Sequence, residues 1–381
     1  MTIKKQLNFF LTNLIKPFFL LKEFRIGSII IHKKNINTFA DNTTFSSGHI
    51  VDPHYISGLT QADGSFFCSI EKTINKNQQK GLKFKPIFDI TTDLDSKHTL
   101  DMIQSYFTSL DPHLLKTEGK IGTVTIKISD HTARFRVANK KDLINIIIPH
   151  FKKYPVVCNK LFAFNLFIQI LENLSKKNKD RDLKLLLSLA ISMNKSSRRS
   201  DTKILELSNL LGLNETPKKL PELIPEMNSE LTPGFLAGMI DGDGSFNITF
   251  PQKINSAKIK PVLSLCLGST ALILKNQIKL FLGPSGVLYK DGSIYILKFS
   301  NLDHLLEFVI PFIESNPLYT EKKEHFQIWK EVCFILKKEN PLSKKSFLKI
   351  VDLSYDMNKK GKRRKIIKEE YIKLINTDYI N

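Results

Sequence analysis

Cysteine is scarce and scattered. The chain has four, Cys68, Cys158, Cys266 and Cys333, and no two stand in a Cys-x-x-Cys pair. That argues against a zinc site and a disulfide framework, and leaves buried free thiols. Long apolar runs are missing too. Residues 18–21 are bounded by Lys16, Pro17 and Lys22, and the Ile-rich stretch before residue 149 breaks at Pro149. No segment reaches the roughly 20 apolar residues that cross a bilayer. Acids are short as well: 37 against 57 Lys and Arg, a formal charge of +20. Such a balance points to a polyanion, nucleic acid before an acidic membrane surface. A hydrophobic fraction of 42% excludes a disordered basic tail and supports true cores. The 27 Phe, with abundant Ile, Lys and Asn, also read as an AT-rich gene, so part of the Lys excess is compositional.

At 381 residues the chain has room for two ordinary domains, and it contains a duplication. Ile56-Ser57-Gly58-Leu59-Thr60-Gln61-Ala62-Asp63-Gly64 returns 180 positions later as Leu236-Ala237-Gly238-Met239-Ile240-Asp241-Gly242-Asp243-Gly244. Asp52-Pro53 precedes the first copy and Thr232-Pro233 the second, each an N-cap followed by proline at the first helical position. Helices over 53–63 and 233–243 follow, with Gly64 and Gly244 expected in the left-handed conformation that ends a helix.

Strands come next. Phe66, Cys68 and Ile70 alternate with Phe67, Ser69 and Glu71, as do Phe246, Ile248 and Phe250 with Asn247 and Thr249. A second strand enters at Lys83-Phe84-Lys85-Pro86 and at Lys258-Ile259-Lys260-Pro261. Helices over about 96–110 and 271–282 lead to hairpins, one turning near Ser129-Asp130 and one at Asp291-Gly292. Helices near 140–151 and 157–174 close the first half, and near 303–314 and 320–337 the second. The expected fold is therefore α+β: two pseudo-symmetric αββαββα(α) repeats. Residues 1–50 form an N-terminal extension that fits either a targeting peptide or an appended segment; Glu23, Asp41 and the lack of a cleavage pattern weaken the former. Residues 51–195 are the first repeat, 196–231 a polar linker with a short helix near 205–211, and 232–381 the second repeat. Its tail carries Lys359, Lys360, Lys362, Arg363, Arg364 and Lys365, a solvated run or a phosphate clamp.

In each motif helix small residues stand four apart, Gly58 with Ala62 and Gly238 with Gly242. They share a face, so the two helices can approach backbone to backbone. Such packing brings together the C-terminal carboxylates of Asp63 and Asp243. Both face the negative end of a helix dipole, unfavourable by about 0.3–1 kcal/mol each, and they repel one another. A hard divalent cation such as Mg2+ (or Mn2+) offsets both effects. Clamped on a phosphodiester, that arrangement implies metal-assisted hydrolysis.

The two nine-residue segments resemble the LAGLIDADG signature of homing endonucleases, in the single-chain form with two copies. The likeness runs from about residue 51 to 364. It takes in Pro149-His150-Phe151-Lys152-Lys153-Tyr154-Pro155 against Ile310-Pro311-Phe312-Ile313-Glu314-Ser315-Asn316-Pro317, and Ser192-Met193-Asn194-Lys195 against Asp356-Met357-Asn358-Lys359. The resemblance implies a saddle of antiparallel sheets on a central pair of LAGLIDADG helices, with metal at Asp63 and Asp243 helped by the carbonyls of Ala62 and Gly242. It implies Lys160 and Lys322 as basic residues supporting the transition state. It also implies major-groove readers on the outward strand faces. In the first half these are Ser69, Glu71, Lys83, Lys85, Lys127, Arg134 and Arg136. In the second they are Asn247, Thr249, Gln252, Lys258, Lys260, Lys290 and Lys298. Two departures stand out. Gln61 replaces the earlier acid that Asp241 keeps, and Thr92 and Ser269 stand where many members place a water-ordering glutamine.

The function so implied is a monomeric, site-specific double-strand DNA endonuclease of intron homing, encoded in a mitochondrion, without a membrane partner. The alternative is a maturase that binds its own group I intron RNA by shape and phosphate contacts. A repressor that binds DNA without cutting is a third class.

Overall fold

The computed structural model describes residues 51–74, 80–193, 200–213, 215–221, 230–250, 259–268, 271–292, 294–357 and 366–378. The N-terminal extension, Gln252, Lys258, Ser269 and the basic run at 359–365 lie outside the described residues. The first repeat runs α1 (Pro53–Asp63), β1 (Gly64–Ile74), β2 (Lys80–Asp93), α2 (Lys97–Ser109), α3 (Pro112–Thr117), β3 (Thr123–Lys127) and β4 (Thr132–Val137). Helix α4 follows over 140–153, then α5 (Cys158–Ser175), α6 (Leu183–Ser192) and α7 (Asp201–Leu210). The second runs α8 (Pro233–Asp243), β5 (Gly244–Thr249), β6 (Lys260–Cys266), α9 (Ala271–Leu282), β7 (Val287–Asp291) and β8 (Ile294–Phe299). It ends with α10 over 302–315, α11 (Lys322–Lys338), α12 (Lys344–Met357) and α13 (Lys368–Asp378).

Each repeat folds its strands into one antiparallel sheet, in the orders β1-β2-β4-β3 and β5-β6-β8-β7. Alternation decides which face is buried. Phe66, Phe88, Ile90 and Phe135 point to the helices in the first sheet, and Leu263, Leu265, Leu297 and Phe299 in the second, all under 5% exposed. The first core is rich in phenyl rings, with Phe66 and Phe88 stacked at 5.1 Å between centroids. The second packs Phe246 against Phe326 and Trp329. A third cluster, absent from the sequence reading, joins Phe347, Ile350, Val351, Tyr371 and Ile375 of α12 and α13 to Val332 of α11. Part of the expected linker is core as well: Ile204 and Leu207 of α7 are buried with β1 and β2.

Helices α4 and α10 share one irregularity. A π-helical turn, Leu143–Ile147 or Leu305–Val309, precedes Ile148-Pro149 and Ile310-Pro311. Proline cannot donate a helical hydrogen bond and its ring crowds the preceding turn, so a widened turn accommodates it.

The motif helices start as their sequences dictate. Asp52 Oδ1 accepts from the His54 N–H at 2.8 Å, and Thr232 Oγ1 from the Phe235 N–H at 3.2 Å. Their ends differ from expectation. Gly64 (φ −84°, ψ 162°) and Gly244 (φ −75°, ψ 150°) are extended, not left-handed. The chain passes straight from helix into strand, each glycine N–H still bonded to Thr60 O or Ile240 O. Space is what demands glycine here: a Cβ would lie 2.7 Å from Thr60 O at residue 64 and 2.3 Å from Ile240 O at residue 244.

Between α1 and α8 the backbones touch. A Cβ on Gly58 would meet Phe235 O at 1.9 Å, one on Gly238 Tyr55 O at 2.1 Å, and one on Gly242 the Ala62 Cβ at 2.3 Å. Since the opposing atoms at the first two sites are main chain, no rotamer change relieves the clash. Gly58→Ala is expected to cost about 3 kcal/mol or more in urea unfolding, whereas Gly81→Ala, whose added methyl meets only Thr73 Oγ1 at 3.5 Å, stays within about 0.5 kcal/mol.

Candidate active site

Close packing of α1 and α8 sets the two motif carboxylates at one junction, where β1 and β5 begin. A Cβ at Gly242 would lie 3.1 Å from Asp63 Oδ2, so the Asp63 carboxylate sits against the opposite helix end. Burial raises the pKa of Asp63 to about 6; Lys322 pulls it down, Asp243 raises it, and Lys160 pulls it down. Burial likewise raises Asp243, with Lys322 and then Lys160 opposing. Burial lowers both lysines, and the carboxylates hold them up: Asp243, Asp63 and Asp89 for Lys160, and Asp241, Asp63, Asp243 and Asp93 for Lys322. The four groups thus form one partly desolvated cluster of two acids and two bases.

Each lysine is anchored on a main-chain carbonyl. Lys160 Nζ donates to Gly64 O and Lys322 Nζ to Gly242 O. The carbonyls are not equivalent positions, so the two halves differ in detail.

Asp241 explains how Lys322 is placed. Its buried carboxylate accepts from the Tyr55 hydroxyl, from the Tyr319 N–H at 2.6 Å, from the Thr320 N–H at 2.9 Å and from the Thr320 hydroxyl. It therefore ties the start of α11 to α8 and to α1. In the other half Gln61 Oε1 accepts one bond, from the Val157 N–H at 2.9 Å, which secures the start of α5 and hence Lys160. Gln61 fills with a neutral side chain the place that Asp241 fills with a charge.

Strand register corrects two expectations. Gly64 pairs with Ile90 and Gly244 with Leu265, which aligns Thr92 with Leu267, not with Ser269. Thr92 is 8% exposed, on the helix side, and its hydroxyl donates to Asp93 O at 3.3 Å. Asp93, one residue on and outward-facing, is the group that the sequence reading missed; it raises Asp63 and steadies the charge of Lys322. Lys290 is the second correction. It pairs with Tyr295 while Leu288 pairs with the buried Leu297, so Lys290 lies on the helix-side face, its Nζ 5.8 Å from the Tyr295 ring centroid.

The other expected readers among the described residues lie on the outward faces. Ser69 stands opposite Lys85 and Glu71 opposite Lys83, with Glu71 ion-paired to Lys85. Lys127 pairs with Asp130. Arg136 Nη2 donates to Asp89 Oδ2 at 2.9 Å, and Arg134 Nε to Thr91 Oγ1 at 3.2 Å. Thr249 stands opposite Lys260, Asn247 opposite Val262, and Lys298 between Ser264 and Val287.

The donor set suits a hard cation. Among the described residues no cluster of three or more His, Cys, Asp or Glu side chains could hold a metal, so Asp63 and Asp243 would need oxygens from the main chain, water and phosphate, the habit of magnesium. Ala62 O and Gly242 O lie at the same helix ends, and a carbonyl bonded to Lys322 retains a second lone pair.

The scaffold is a duplicated α+β fold in which the acid ending each motif helix meets its counterpart where the two sheets begin. The model of the LAGLIDADG endonuclease family matches residues 56–171 and 236–333, and the chain belongs to that family. It is 27% identical over 315 residues to a protein named as a probable intron-encoded endonuclease in Neurospora crassa, covering 80% of this chain and 64% of that one. It thus spans less than two thirds of that relative's length. A protein named as a probable intron-encoded DNA endonuclease in Mycosarcoma maydis is 24% identical, over 71% of this chain and 95% of its own. Among solved structures, I-SmaMI bound to an uncleaved DNA target with calcium ions matches at TM-score 0.68 and 24% identity, over 81% of this chain and 99% of that one. The homing endonuclease I-GzeII in complex with its DNA target matches at 0.68 and 23%, over 82% and 100%. Those two likenesses are of fold.

The raised Asp63 carries a stability consequence. From its ordinary 3.8 to about 6 the folded carboxyl holds a proton that the unfolded one has released, so stability falls as pH rises through that window and the full cost persists above it. In chelator at pH 8, Asp63→Asn is therefore expected to melt above the parent, with the difference gone by pH 4. Added divalent cation should raise the parent's Tm more than the variant's.

Proposed function

We propose that the chain is a site-specific double-strand DNA endonuclease of intron homing, dependent on Mg2+ (or Mn2+). The observation that carries the reading is the meeting of Asp63 and Asp243 at a helix pair whose ends lead directly into both sheets. Duplex DNA would lie along the outward strand faces, spanning about two helical turns at roughly 10 bp each. The net charge of +20 supports such a partner.

In this reading Asp63 and Asp243, with the carbonyls of Ala62 and Gly242, hold the cation. When bound, it supplies positive charge to the phosphate oxygens and lowers the pKa of a bound water. The remaining work falls to the chain itself. Lys160 and Lys322, each pinned by a carbonyl, set an ammonium beside the charge that develops on a phosphorane, one per half. Asp241 and Gln61 keep those lysines aimed by holding the helices that carry them. Asp93 stands by the first carboxylate, able to orient a water by hydrogen bonding. Each half would cut one strand, and unlike halves permit a non-palindromic target.

The same reading makes residues 51–195 and 232–381 the two half-site modules of a monomer, joined by 196–231. Intron-encoded fungal relatives support a mitochondrial gene. The maturase alternative has no observation in its favour.

Plasmids carrying intronless organellar exon junctions, incubated with the protein and magnesium, give the direct test. One junction is expected to be cut to a linear product, with no product in chelator. Asp63→Asn and Asp243→Asn should each slow the cut about 100-fold or more. Failure to cut any cognate junction with magnesium would overturn the reading.

A further inference from the structure

The outward faces of the two sheets are chemically unlike although their strands are equivalent. In the first sheet the cross-strand row is Ser65, Asp89, Arg136 and Thr123. Asp89 stands between two guanidinium groups, 2.9 Å from Arg136 Nη2 and 3.9 Å from Arg134 Nε. Asp89 is 7% exposed; it holds Arg136 by a hydrogen bond and Arg134, which donates to Thr91 Oγ1, by charge, leaving less rotamer freedom to be lost on binding. Apolar groups on this face are covered: Ile87 is 7% exposed, and the Phe67 ring lies 5.8 Å under the Arg136 guanidinium.

The matching row of the second sheet is Ser245, Ser264, Lys298 and Val287, with no carboxylate and no arginine. The next row is Cys266, Ile296 and Tyr289, followed by Ile294 opposite Asp291. Val287, Tyr289 and Ile294 are 50%, 49% and 43% exposed, although Lys298 Nζ lies 4.9 Å from the Tyr289 ring centroid. This is not a core face, because the helices lie against Leu263, Leu265, Leu297 and Phe299 on the other side. An apolar strand face in line with the cationic saddle has a partner of definite chemistry. The thymine C5-methyl is the apolar mark of the major groove, while guanine O6 and N7 accept two bonds from one arginine.

We propose that the two repeats read their half-sites by different chemistry. The second sheet selects thymine-rich sequence by methyl contacts to Val287, Tyr289, Ile294 and Ile296; the first selects guanine through the Asp89-held pair Arg134 and Arg136. The inference rests on duplex DNA being the partner.

The test is selection from a random duplex pool of about 24 bp, somewhat over two helical turns, with calcium in place of magnesium. The expected product has a guanine-bearing half and a thymine-rich half. Deoxyuridine for thymine in the latter should weaken binding about fourfold per contacted methyl, and Ile294→Asn with Ile296→Asn should remove that sensitivity at the positions these two side chains contact. Replacing a contacted guanine by 7-deazaguanine in the other half should cost at least about fivefold, and Arg134→Ala with Arg136→Ala should remove that sensitivity in turn. Enriched sites with no thymine preference, or deoxyuridine silent in both halves, overturn this inference alone. Failure to enrich any duplex overturns the DNA reading with it. A dimer in solution that Ile294→Ser dissociates would also overturn the inference, since the apolar face would then serve a second copy.

Discussion

Everything in this protein hangs on two helices pressed together so closely that only glycine fits where their backbones meet. Gly58 and Gly238 each face a main-chain carbonyl of the other helix at a distance that admits only hydrogen. Close approach has two effects at once. It joins two cores into one body, and it forces Asp63 and Asp243 into the same low-polarity junction. Repulsion and burial there are unfavourable in themselves, and neighbouring lysines offset only part of them. A bound divalent cation would offset both costs.

Around that junction the repeats have diverged where divergence is useful. Asp241 gathers four hydrogen bonds and locks α11, reaching Tyr55 on the opposite motif helix. Gln61 does a simpler version of the same task with one bond to the start of α5. Asp93 has Gly268, with φ 54°, as its counterpart by register. The sheets follow the same pattern, arginine-bearing in one half and carrying an exposed apolar patch on β7 and β8 in the other. Unequal halves suit a target whose two sides differ.

Much of this is legible in the sequence alone. Asp52-Pro53 and Thr232-Pro233 mark helix starts because a capping oxygen and a fixed φ act locally. Alternation at Phe66-Cys68-Ile70 marks a strand for the same kind of reason. Other features were not legible. Helices α6, α12 and α13 gain stability by packing on strands and helices already formed, and their periodicity competes with charged and polar neighbours. The faces of Lys290 and Thr92 depend on pairing register, and a one-residue slip moves a side chain to the opposite side of the sheet.

What the sequence determined by itself was whatever repeats or acts within a few residues: the duplication, the capped helices, the acid that ends each motif, and the cationic balance. Only the tertiary structure decided which groups those acids meet. The extended path at Gly64 and Gly244, the carbonyl anchors of Lys160 and Lys322, the outward Asp93 and the four partners of Asp241 all arise between segments far apart in the chain. Desolvation and strand register are properties of the assembled body, so no local pattern encodes them.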